Sequence, residues 1–101
     1  MNASQALGHI QDSFYKGRYH FDPHAKTRMS QRNVSFQDVR HGVAKATAGD
    51  CVSYSDPTRP PPAGATCWRI SGQDLDGASL AVGIDLTVDH LGGFSVVVTV
   101  F

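Results

Sequence analysis

An α+β fold is predicted from three observations. The hydrophobic period is helical through residues 1–48 and becomes two after Gly49. The breaks between periodic segments carry helix caps or turn residues, and 101 residues suit one domain, 1–101, with a single modest core. Helices first and strands second predict two to three N-terminal helices packed on one face of a four-stranded antiparallel sheet.

Leu7, Ile10 and Phe14 follow helical spacing from about Ser4, and Gly17 is placed to stop that first helix. Tyr19-His20-Phe21 alternates like a small strand. Asp22 as N-cap and Pro23 at the first helical position then start a second helix that should end near Asn33. Ser35 and Asp38 have the spacing of a capping box, and Phe36, Val39, Val43 and Ala46 give a third helix its buried face, closing near Gly49.

Beyond Gly49, Val52 and Tyr54, then Trp68 and Ile70, mark the inward faces of two strands. Leu80, Val82, Ile84 and Leu86, then Phe94, Val96, Val98 and Val100, mark two more. Asp76-Gly77 and Gly92-Gly93 favour short antiparallel connections, while residues 56–65 hold too much Pro for a strand and read as a mobile or extended loop.

The formal charge is zero, but residues 1–48 carry seven Lys and Arg against three Asp, and residues 49–101 carry two Arg against six Asp. A basic helical layer able to meet phosphates and a more acidic sheet follow, which argues against a strongly electrostatic nucleic-acid binder. No apolar run approaches the roughly 20 residues that span a bilayer, and residues 1–5 lack the pattern of a secretory signal. The expected location is cytoplasmic, with no membrane partner and with Cys51 and Cys67 as reduced, small apolar side chains. No Cys-x-x-Cys pair argues for structural zinc, and no pattern calls for a cofactor.

His24, Arg28 and Arg32 recur every four residues just after the helix start, and at about 100° per residue they share one stripe. Such a stripe can hold a phosphate, or it can dock the helix through hydrogen bonds to backbone or Asp groups; spacing alone does not choose. His20, Asp22 and His24 are metal-type donors whose regular geometry is broken by Pro23. Asp74-x-Asp76-Gly77 starts like a calcium loop, lacks the closing ligand, and reads as a turn. Trp68 and Tyr54 fall on the apolar phase of their strands and read as core.

His24-Ala25-x-x-Arg28-Met29-x-x-Arg32, followed by Val34-Ser35, Asp38-Val39 and a terminal strand Val97-Val98-Thr99-Val100-Phe101, resembles a bacterial family of small domains known by its His-Ala-x-x-Arg-Met-x-x-Arg motif. The resemblance covers residues 19–101 and leaves 1–18 outside. That family is similar in architecture to RelE/ParE-type (MqsR-like) toxins paired with zinc-finger antitoxins of the MqsA type. The resemblance implies a toxin-like component of a toxin–antitoxin system: a metal-independent mRNA endoribonuclease whose partners are an antitoxin and RNA or the ribosome. His24 would act as general base or acid and Arg28 and Arg32 would stabilise phosphate charge, with Tyr54, Arg69 and Thr99 meeting the substrate from the sheet. The alternative is a non-catalytic module of the same fold that binds protein or RNA.

Overall fold

The computed structural model describes residues 1–101. Asn2 caps the first helix, α1 (Ala3–Tyr15), in a capping box with Gln5, and Gly17 at φ 73° turns the chain into a short strand, β1 (Tyr19–Phe21). Asp22 accepts the His24 N–H and Pro23 opens α2 (Pro23–Arg32), which stops at Asn33 in the left-handed conformation, φ 55°. The Ser35–Asp38 box opens α3 (Phe36–Lys45). After a single 3₁₀ turn come β2 (Cys51–Ser53), β3 (Thr66–Gln73), β4 (Ser79–Asp89) and β5 (Gly92–Val100).

The sheet is five-stranded and mixed, ordered β1-β5-β4-β3-β2, which corrects the expected four antiparallel strands. The three residues of β1 pair parallel to β5, with His20 opposite Val96, while β2 to β5 form the antiparallel meander. A three-residue alternation carries no information about a partner some seventy-five residues away, and that pairing arises only once α1 has delivered the chain to the edge of β5.

One face of the sheet holds the core. Leu7, Ile10 and Phe14 of α1 and Val39 and Val43 of α3 pack on Ile70, Val82, Ile84, Leu86, Val97 and Val100. Two glycines set how close the helices lie: a Cβ at Gly93 would stand 2.7 Å from the His9 carbonyl oxygen, and one at Gly72 would stand 2.9 Å from that of Gly42. Ser13 donates to the Ile10 carbonyl and shares a buried 2.7 Å hydrogen bond with Ser95, so the one polar spot between α1 and β5 is satisfied.

Three phase expectations change. In β2 it is Cys51 that is buried, whereas Val52 is 51% exposed and Tyr54 lies beyond the strand end. In β5 a bulge makes Ile84 face Val97 while Gly83 faces Thr99, leaving Val98 as the extra residue. Ser95, Val97 and Val100 therefore point into the core, Phe94 is exposed, and Val98 is buried outside the core cluster. Finally, α3 ends at Lys45 with Ala46 extended, and Phe36 is half-exposed, its ring edge-on to Phe21 at 4.7 Å.

Candidate functional site

The opposite face of the sheet carries a cavity of about 220 Å³. Its walls come from α2, from the segment after β2 and from the outward residues of β3 and β5. On α2, Ala25 and Met29 are buried and dock the helix beside β5, beyond the end of β1. Their neighbours His24 and Arg28, one position earlier in each turn, line the cavity. Arg28 Nε donates to the Val100 carbonyl at 3.4 Å, which leaves both terminal nitrogens without a protein partner. The His24 ring has none either; only its backbone N–H is used, by Asp22. The helix is thus docked by its apolar residues together with the Arg28 Nε bond, and the His24 ring and the rest of the Arg28 fork line the cavity.

The sheet supplies Thr99, aimed outward by the bulge, together with Val98 and Phe101. Gly83 makes room for them, since a Cβ there would sit 3.0 Å from the Thr99 methyl. Tyr54, held by its backbone hydrogen bond to Cys67, turns its ring edge-on to Phe101 at 5.1 Å, and neither the Tyr54 nor the Thr99 hydroxyl has a protein partner. Four of the six residues singled out in the sequence, His24, Arg28, Tyr54 and Thr99, therefore meet in one place.

The other two do not enter. Arg69 lies next door, its guanidinium 4.5 Å from the centre of the Phe101 ring, on the far side from the cavity. Arg32 is exposed in the last turn of α2, where it complements the negative end of the helix.

Asp56, Arg59, Cys67 and Asp85 were missed. Asp85 sits on the outward phase of β4, directly across from Cys67 on β3, and is 4% exposed. An outward Asp on an alternating strand reads as solvated; it is buried here because the Pro-rich segment folds back over it. Arg59 Nη2 from that segment bonds Asp85 Oδ2 at 3.1 Å, and this hydrogen bond raises the guanidinium above its ordinary value. Asp85 Oδ1 is buried with no hydrogen-bond partner. Burial, then the neighbouring Asp85 carboxylate, pushes the Cys67 thiol up to about 12, which favours its neutral form.

A family model described as Domain of unknown function (DUF4258) matches residues 21–101, which takes in α2, α3, the meander and every wall of the cavity but leaves out α1. No curated protein and no solved structure matches the chain.

Proposed function

The chain belongs to the DUF4258 family, and from that premise and the chemistry of the cavity we propose that it is a small endoribonuclease, the toxin-like component of a bacterial toxin–antitoxin pair. The observation that carries this reading is the convergence of His24, Arg28, Tyr54 and Thr99, with their polar tips uncommitted, in one cavity.

RNA cleavage by the 2′-hydroxyl requires a base, an acid and cations about the pentavalent phosphorus. His24 takes the 2′-hydroxyl proton as the 2′-oxygen bonds to phosphorus. The bond to the 5′-oxygen breaks, leaving a 2′,3′-cyclic phosphate. In-line geometry puts the leaving oxygen on the opposite side from the base. There the Tyr54 hydroxyl, coming from the β3 side of the cavity, donates its proton. Arg28 binds the non-bridging oxygens and Thr99 orients the ribose. The Arg28 and Arg59 guanidiniums of the lining disfavour a divalent ion, and the reaction as written needs none.

The test is pure protein incubated with a mixed RNA pool, with and without ribosomes, in the presence of chelator, followed by mapping of new ends. Ends bearing cyclic phosphate, lost in His24→Ala, are the expected outcome; intact RNA from folded protein under both conditions would overturn it. Expression without a partner should arrest growth, and His24→Ala with Arg28→Ala should relieve the arrest. A zinc-finger antitoxin is the partner this reading proposes. One observation favours the second reading, a module that binds RNA without cutting it: Asp56 shares the wall with Arg28 and Arg59, and Arg59 is paired with Asp85 buried beneath the wall, so the site as a whole is close to neutral. RNA retained but uncut would select it.

A further inference from the structure

Arg59 is held in a way that a structural ion pair does not require. Asp56 Oδ1 accepts the Thr58 N–H at 2.9 Å and its hydroxyl at 2.7 Å, and the Arg59 N–H returns to the Asp56 carbonyl at 3.1 Å. This turn directs Arg59 inward from an otherwise Pro-rich segment. Arginine–carboxylate pairs are frequently bidentate, with both prongs of the fork aligned on both oxygens. Here only Nη2 is used, on Oδ2, while Oδ1 stays buried and unpaired and Nε and Nη1 have no protein partner. The Arg59 side chain is 40% exposed and lines the cavity; that of Asp85 is 5% exposed beneath it.

Arg28 repeats the pattern, tethered through Nε to Val100 with two nitrogens free. Two guanidiniums, one from α2 and one from the loop, are each fixed by a single N–H with the rest of the fork unpartnered, and both line the same cavity. We propose that the cavity is a two-arginine clamp for one phosphodiester of single-stranded RNA, with Arg59 as the second phosphate-binding residue and Asp85 as the residue that positions it. The clamp rests on the ribonuclease or RNA-binding reading above. Because the site as a whole is nearly neutral, binding comes from fork hydrogen bonds more than from long-range attraction, and its salt dependence should match only one or two phosphates.

The experiment measures binding of a 2′-O-methyl RNA hexamer, which has no free 2′-hydroxyl to attack, to the full chain by fluorescence anisotropy, with thermal unfolding of each variant alongside. Arg59→Gln should weaken binding roughly 10- to 100-fold, the loss expected for a charge-assisted hydrogen-bonded pair, and Arg59→Lys, which keeps the charge but not the fork, should not restore it. Asp85→Asn raises the net charge by one, so if Asp85 only neutralised Arg59 it would tighten binding; as a positioning residue its loss weakens binding. If Arg59→Gln unfolds because Asp85 is left unpaired, the double variant Arg59→Gln/Asp85→Asn removes that buried charge, and it should fold and bind as weakly as predicted for Arg59→Gln. Wild-type affinity in a folded Arg59 variant, or tighter binding by Asp85→Asn, overturns the clamp even if the wild type cuts RNA. A wild type that neither binds the hexamer nor cuts RNA overturns the clamp and the reading beneath it together.

Discussion

Cys67 and Asp85 show how far burial can change the chemistry of a residue. Both occupy the outward phase of central strands, and both are buried because the segment after β2 covers them. The Cys67 thiol ordinarily titrates near 9.0 and is pushed up to about 12 by burial and then by Asp85. A raised pKa means that the folded state prefers the protonated form, so the stability it contributes is complete below 9.0 and is lost as the pH climbs towards about 12. Cys51 is raised by burial in the same direction. At pH 8 a disulfide exchange reagent should therefore label neither thiol in the native protein and both in denaturant. Stoichiometric labelling of native protein within minutes would show that the cover over Cys67 opens freely.

Among the elements, α2 separates its two tasks by one residue position. Ala25 and Met29 are 0% and 4% exposed and hold the helix against β5, while His24 and Arg28 look into the cavity. Met29→Ala should cost about 2–5 kcal/mol, the range for truncating a buried long side chain. His24→Ala removes no buried contact and should change stability by less than about 0.5 kcal/mol. Chemical denaturation of the two variants checks the difference; equal losses would return His24 to a docking role. The β5 bulge is the other decisive element. One extra residue at Val98 turns Thr99 to the outer face and restores Val100 to the core, so a strand that reads as plain alternation builds both the core and a wall of the site.

For the whole molecule, a single ion pair links the basic and the acidic halves of the chain. Of the three ion pairs, Lys16–Asp12 lies within the basic half and Arg59–Asp85 within the acidic half, and only Arg18–Asp89, at 3.1 Å, joins the two. No helix is long and apolar enough to cross a membrane. Four surface carboxylates, three of them partly buried, sit below their ordinary range: Asp38 through the Ser35 N–H, Asp50 through the Thr47 N–H, Asp56 through the Thr58 hydroxyl and Asp89 through Arg18. A depressed folded pKa contributes stability that is present above the ordinary value near 3.8 and is lost as the pH falls through the lower folded one. The melting temperature should thus be level from pH 7 to 5 and fall below pH 4. Asp38→Asn, which loses its hold on the Ser35 and Leu75 N–H groups, should melt lower at pH 7 and show a shallower acid limb. An unchanged slope would mean that these caps contribute nothing to the fold.

The sequence by itself determined the helices and most of the strands, because caps such as Asn2, Asp22 and Ser35, the stop at Asn33 and the alternation through β4 act over a few residues and depend on no distant partner. Helical spacing also marked His24 and Arg28 of the cavity lining, while Tyr54 and Thr99 were marked only through the family resemblance. Only the tertiary structure decided that β1 joins β5, that a bulge at Val98 puts Ser95 and Val97 instead of Phe94 and Val96 on the core face, and that a Pro-rich segment carries Arg59 over a buried Asp85. Each of these is a contact between residues thirteen or more positions apart. Local propensity and period carry no term for such contacts; they are set by which surfaces the assembled elements leave to be covered.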